Sequence, residues 1–259
     1  MKEYVLITGA GSGIGLEMAK KLAAKNFNLI LVARSEDKLF SLQKDLKDRY
    51  DIDVTYLLYD LSEPNSALDL YNEIQRNHYL VTGLINNAGF GDYGNFFEMP
   101  LKKDEEMIAV NITALVGLTK LFGADMIKAG KGRIMNVASL LAFLPFPYYS
   151  VYSATKSFVL AITETLSAET EGKGVFITAL CPGPVETPFH TDAMRRTNAM
   201  SANKPMSADV VAEAGIKLFL YGNGKKVVDF MNWFLSNLPR ITPDKWMMKI
   251  KKNLASIKK

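Results

Sequence analysis

A tyrosine and a lysine stand four residues apart in YSATK, Tyr152 to Lys156, and Ser139 lies thirteen residues before the tyrosine. On a helix that spacing stacks the phenol and the ammonium on one face. A free phenol titrates near ~10, so it gives up its proton sluggishly at neutral pH. A neighbouring cation stabilises the phenolate and is expected to draw Tyr152 below that value. Such a phenol could protonate the alkoxide left when hydride adds to a ketone carbon. The Ser139 hydroxyl could hold the same oxygen. Tyr148 and Tyr149 have Tyr152 and Ser153 four residues on in place of a lysine, which leaves them either to a substrate wall or to core packing. Asn111 falls inside a helical pattern, where an asparagine is unfavourable and often satisfies a kinked backbone. His78 and His190 have no partners at metal-ligand spacing, so no metal is assigned.

A second group of residues could hold phosphate. TGAGSGIG, residues 8–15, closes an apolar run and opens a helical pattern. Gly9 suits a tight turn, Gly13 a close approach of backbone to a phosphate, and Gly15 close helix–strand packing. Ser12 and Ile14 lie in the same turn, where free N–H groups and the positive end of a helix dipole suit a pyrophosphate. The spacing departs from the usual G-x-G-x-x-G dinucleotide pattern. The next strand ends in Ala33-Arg34-Ser35. Dinucleotide folds that select NAD place an acid there; an arginine instead grips a 2′-phosphate. NADP(H) is therefore expected, with Arg34 as its anchor and Ser35 and Ser12 as auxiliary donors. The bland alternative for Arg34 is a solvated charge. Asp60 either accepts from the adenine amino group or caps a turn, a role open to Ser62 as well.

These residues need a frame, and the rest of the chain supplies one. Apolar runs at 4–8, 29–33, 54–58, 83–86, 133–137 and 175–180 alternate with helical patterns at 14–25, 36–50, 64–77, 104–128 and 150–171. None of the runs has a polar face, so each is expected to be buried on both sides. That alternation predicts an α/β fold with a parallel sheet between helices. Of the 259 residues, 48% are hydrophobic, enough to build one large core. A net charge of +4 is too mild to suggest a nucleic-acid partner. A single cysteine, Cys181, excludes an internal disulfide, fits a reducing compartment and reads as a packing residue. The start, MKEYVLITG, lacks the pattern of a signal peptide. The longest apolar stretch noted, 140–146, is broken by Pro145, so no membrane span is expected and a cytoplasmic location is.

Together, TGAGSGIG, Asp60-Leu61, NNAG (86–89), Asn111, Ser139, YSATK and PGPVET (182–187) resemble the short-chain dehydrogenase/reductase family in its single-domain branch. The resemblance covers nearly the whole core in order and spacing. It implies a Rossmann-like doubly wound sheet of seven strands in the order 3-2-1-4-5-6-7, a nicotinamide cofactor and carbonyl–alcohol interconversion. It also implies that Lys156 holds the nicotinamide ribose with Tyr152 nearby, and that Asn111 anchors a water feeding a proton relay. By the same resemblance Asn87, Ala88 and Gly89 border the adenine-side ribose, although the main work of Asn87 is expected to be hydrogen bonding that ties the sheet together. Pro182, Gly183, the backbone of Val185 and the hydroxyl of Thr187 would meet the carboxamide of nicotinamide. A homodimer or homotetramer through the helices of Asn111 and Tyr152 is implied as well.

Residues 1–228 form the expected catalytic domain, with an irregular lid at 188–206. LLAFLPFPYY (140–149), Phe90, Phe189 and Met194 would converge on a broad apolar pocket for a bulky lipophilic ketone or secondary alcohol, or would serve as core. Residues 229–259 read as a basic amphipathic tail: seven Lys or Arg against two Asp give it a net +5. Its tryptophans and lysines leave three readings, in this order: packing against the protein as a cover or a dimer contact, then a peripheral membrane surface. A different class of function, an NADP(H)-binding sensor or scaffold without turnover, is disfavoured because it would not need Asn111, Ser139, Tyr152 and Lys156 together.

Overall fold

The computed structural model describes residues 2–257; Lys258 and Lys259, counted in the charge of the tail, lie outside the described residues. Seven parallel strands form one sheet: β1 (Glu3–Thr8), β2 (Asn28–Ala33), β3 (Val54–Leu58), β4 (Leu80–Asn86), β5 (Gly132–Val137), β6 (Val175–Cys181) and β7 (Gly224–Val227). Their order, 3-2-1-4-5-6-7, is the expected one. Alternation along β1 shows how the layers are made. Val5 and Ile7 face a layer containing Met18, Leu22, Leu39 and Leu42, whereas Tyr4 and Leu6 face one containing Leu70, Ile74, Leu118 and Phe122. Every second side chain thus enters an opposite core, which is why the strand carries no polar face.

The first layer holds α1 (Gly13–Ala23) and α2 (Glu36–Arg49); the second holds α3 (Ser66–Arg76), α4 (Leu101–Ala129) and α5 (Ser150–Glu169). The sequence-based bounds fall within three residues of these ends. Helix α4 corrects the expectation that no stretch is apolar enough to cross a membrane: an 18-residue window in it has mean hydropathy 1.6. Its apolar face packs on the sheet through Leu118, Phe122 and Met126. It also opens into a π-helical turn at Ala109–Ala114, centred near Asn111.

Beyond β6 the chain builds smaller pieces. Helices α6 (Asp192–Arg195) and α7 (Asn198–Ala202) form the lid, which a two-residue parallel pairing of Val185–Glu186 with Met206–Ser207 closes at its base. Helix α8 (Ala208–Tyr221) then packs against α1 and leads to β7. Helices α9 (Phe230–Asn237) and α10 (Asp244–Ala255) end the described chain. Helix α10 is pinned to the lid: the Asn198 amide N–H donates to Ser256 O at 3.0 Å, its side chain donates to Asn253 O at 2.9 Å, and Thr197 bridges Ile257. From another side, the Tyr93 hydroxyl donates to Ala255 O at 2.7 Å.

Candidate active site

One cavity of about 870 Å³ runs along the carboxyl ends of the strands. This is where open parallel sheets place ligands, because the loops leaving adjacent strands diverge there. At one end lies the glycine turn. Gly9 has φ +67°, and a Cβ there would meet Ala88 and Asn87 within 3 Å. A Cβ on Gly15 would stand 2.4 Å from Gly9 O and 2.5 Å from Asn87 Nδ2. Helix α1 therefore starts pressed against the turn. Asn87 fastens it from β4, donating to Thr8 O at 3.0 Å and Gly9 O at 3.2 Å, the structural role expected of it.

Gly9, Ser12, Gly13 and Ile14 line this end with Arg34, Ser35, Asp60 and Leu61, and Asn87, Ala88 and Gly89 form the next stretch of wall. Pro182, Gly183, Val185 and Thr187 close it from β6. Of the expected cofactor residues, Gly15 alone does not reach the cavity; it packs behind the turn. Arg34 is largely exposed and pairs with Asp60 at 3.4 Å. Such an exposed pair is worth ~1 kcal/mol or less, so the guanidinium is free to exchange it for a phosphate. Asp60 also accepts from the Ser62 amide at 2.9 Å and from its hydroxyl at 2.6 Å, so it organises the turn after β3. Burial pushes its carboxyl up, but these donors and Arg34 outweigh that and hold it below the usual value. Lys38, one turn into α2, lines the same end and was missed. Its place among charged residues on an amphipathic helix gave no signal.

Midway along the cavity, Ser139, Tyr152 and Lys156 converge. Ser139 leaves β5 in an extended conformation, and its Oγ accepts from the Leu141 amide at 3.1 Å. Lys156 Nζ donates to Val137 O at 2.8 Å and lies 5.9 Å from the centre of the Tyr152 ring. The expected acidified phenol is not what these contacts produce. Burial pushes Tyr152 up to about 12, against a smaller opposing pull from Ser139. Burial also draws Lys156 down to about 8. The ammonium donates to the Val137 carbonyl, and the desolvation that both groups suffer dominates their shifts.

Asn111 does not line the cavity. Its Oδ1 accepts from the Phe90 amide at 3.1 Å, and its Nδ2 donates to Phe90 O at 2.9 Å and Thr155 Oγ1 at 3.0 Å. It clamps the loop after β4 to α5 from behind, at the residue just before Lys156. The π turn that carries it gives the kink that a mid-helix asparagine suggested.

The other end of the cavity is apolar. Phe90, Leu141, Leu144, Phe146, Tyr149, Phe189 and Met194 converge on it as expected, with the Phe189 ring 5.4 Å from that of Tyr152. Tyr149 belongs to this wall. Tyr148 does not: its backbone is left-handed at φ +66°, and its ring lies at the surface beside Tyr93. The tail supplies the rest of the wall, in line with the reading of it as a cover, although the sequence did not single out which residues face the cavity. Met231, Leu235 and Leu238 of the α9 region, with Met247, Ile250, Lys251 and Leu254 of α10, complete it. Their spacing of three and four residues was a readable signal for one covered face on each helix.

The very-long-chain 3-oxoacyl-CoA reductase of Phaeosphaeria nodorum is 34% identical to this chain over 251 residues, covering 90% of it and 71% of the relative. Among solved structures, a short-chain dehydrogenase from Sphingobium yanoikuyae in complex with NADPH matches with a TM-score of 0.80 at 26% identity, covering 94% of this chain and 97% of that one. A bulky-bulky ketone specific alcohol dehydrogenase from Comamonas testosteroni matches with a TM-score of 0.78 at 25% identity, covering 93% and 92%. The short chain dehydrogenase family model matches residues 3–198, from β1 through Tyr152 and Lys156 into the lid, and the chain belongs to that family.

Proposed function

We propose that this protein is an NADP(H)-dependent oxidoreductase that interconverts a bulky lipophilic ketone and its secondary alcohol. One observation carries the reading: a single cavity joins the glycine turn and Arg34 to Tyr152, and Tyr152 to an apolar chamber under the lid and tail. Relatives named for NADPH, for bulky ketones and for 3-oxoacyl chains support the same assignment. The turn at Gly9–Gly15, with Arg34 and Lys38, would hold the phosphates; Asn87–Gly89, Lys156 and Pro182–Thr187 would hold the remainder. When bound, the cofactor supplies hydride to the carbonyl carbon. Tyr152 gives its proton to the carbonyl oxygen, and Ser139 steadies that oxygen beside it. A phenol raised to about 12 does not ionise by itself at neutral pH, so the transfer depends on charge developing on the substrate oxygen as the proton leaves. Lys156, still mostly charged at neutral pH, stabilises the phenolate as it forms.

The test compares three proteins. Wild type should bind NADPH more tightly than NADH and turn over bulky ketones. Arg34→Ala should lose the coenzyme preference. Tyr152→Phe should keep coenzyme affinity and lose about 10³-fold in turnover. A wild type that turns over nothing on a broad lipophilic panel would favour the sensor instead.

Two features bear on partners. Phe230 and Trp233 stack at 5.8 Å and are exposed along with Met231, Phe234, Trp246 and Met248, with Lys245, Lys249 and Lys252 beside them on α10. Such a face suits an anionic lipid surface. Equal sedimentation of wild type and Trp233→Ser/Trp246→Ser with anionic vesicles would remove that reading. Leu101 and Ile108 of α4 and Phe158 of α5 are also exposed. They support a homodimer or homotetramer through these helices, which light scattering would decide.

A further inference from the structure

Lys251 occupies the wrong face of its helix for a lysine. It lies four residues after Met247 and four before Ala255, both buried against the protein. Lys251 itself is 9% exposed and lines the cavity between Met247, Ile250 and Leu254. Among the described residues no group accepts a hydrogen bond from its ammonium, and Asp244, two turns earlier on the same helix, acts on it only from a distance. Burial holds its pKa below the ordinary lysine value, which Asp244 only partly offsets. Elsewhere on the wall that the lid and tail provide, no other Lys or Arg appears.

An ammonium set without a partner in an apolar wall is unfavourable. A methionine or leucine, as at positions 247 and 254, would fill the place without that cost. Lysines elsewhere on α10 point outward, where they are hydrated. The charge at 251 is therefore accounted for if an anion completes the site.

We propose that Lys251 is an anion subsite in the substrate chamber, receiving a carboxylate or phosphate on a lipophilic molecule whose chain lies against Leu235, Leu238 and Met247. This rests on the proposed function for the identity of the chamber and adds a second polar anchor to it, far along the chain from Tyr152. An acyl chain with an oxidised or phosphorylated end meets both demands.

The test avoids turnover. Laurate, dodecyl phosphate and 1-dodecanol carry the same chain and no ketone. Titration calorimetry on the full chain should show laurate or dodecyl phosphate binding at least tenfold more tightly than dodecanol, about 1.4 kcal/mol. The tighter of the two anions identifies the head group. Lys251→Met should bring all three within twofold while leaving dodecanol affinity unchanged, and Lys251→Arg should restore the preference. An equal preference in wild type and Lys251→Met would overturn the subsite, as would a wild type indifferent to charge; in either case the lysine merely reaches cavity water. Loss of dodecanol binding in Lys251→Met would show a structural role and overturn it too. A protein that binds laurate through Lys251 yet reduces no ketone would sink the proposed function and leave the subsite standing. The opposite pair of results would do the reverse.

Discussion

The two halves of the cavity are built differently. The dinucleotide half is made of short turns at the ends of β1, β2, β4 and β6, where a backbone carbonyl, a φ above zero or a single amide decides the shape. The apolar half is made of side chains from the segments after β4 and β5, the lid, α9 and α10, where what matters is apolar volume. Within the turn, Gly9, Gly13 and Gly15 admit almost no alternative residue, since a Cβ on any of them would stand less than 3 Å from a neighbour. The wall formed by Leu235, Leu238 and Met247 admits many apolar residues of similar size. Narrow geometric demand produces a motif, and volume filling produces only a periodicity.

Lys156 stands at the junction, and its replacement has the largest expected effect. Lys156→Met should lower turnover by about 10²–10⁴-fold while making the protein more stable. The sign follows from burial. The lysine titrates at 10.5 when unfolded and at about 8 when folded. Below pH 8 it is charged in both states, and the folded state bears the full desolvation cost. As pH rises from 8 to 10.5 the folded protein carries the neutral amine and the cost fades. Denaturant unfolding at pH 7 should therefore show Lys156→Met gaining about 1–3 kcal/mol, after allowing for the lost bond to Val137. The gain should shrink above pH 8. Ketone reduction by wild type should likewise fall above pH 8, as the ammonium is lost. A variant that is both inactive and less stable at pH 7 would show that Lys156 is mainly a structural donor to Val137.

Gly15→Ala probes the rigid half from behind the cavity. The added methyl would stand 2.4 Å from Gly9 O and 2.5 Å from Asn87 Nδ2, so the turn or α1 must shift. Overpacking of this kind costs about 1–3 kcal/mol. Thermal unfolding should report that loss, and NADPH affinity should fall by tenfold or more if the turn holds the phosphates as proposed. Unchanged affinity with a lowered melting temperature would separate helix packing from phosphate binding.

The same contrast explains what could be read in advance. Six of the seven strands and both layers were legible because buried strands have no polar face; the pairing of Tyr152 with Lys156 was legible because its spacing is helical, and Ser139 through the family resemblance. The seventh strand was not located. Its sequence, GKKV, places two exposed lysines on the sheet edge and reads as a turn. The depth of burial at Tyr152 could not be read either, so the expected sign of its shift was wrong. Lys38 and Lys251 were missed for related reasons. Each looks like one more solvated charge until the fold shows which way its helix faces.

The volume-filled half offers the smallest effect and the finest discrimination. Leu238→Ala/Met247→Ala removes bulk from the wall without touching the sheet, the turn or Tyr152. Both residues pack with Leu140 and Leu144, which lie just after Ser139. Buried truncations of this type cost about 2–5 kcal/mol when the whole fold feels them. Here α9 and α10 cover the cavity from outside the sheet, so the loss should appear as local opening of the cover. The KM for a bulky lipophilic ketone should rise by about three- to tenfold, corresponding to roughly 1 kcal/mol of lost contact. kcat should hold, and a small ketone that never reaches the cover should be unaffected. Hydrogen exchange should speed up in 230–255 and stay unchanged in 3–33. If the small ketone suffers as much as the bulky one, the cover positions Tyr152 as well as the substrate, and the two halves are less independent than their construction suggests.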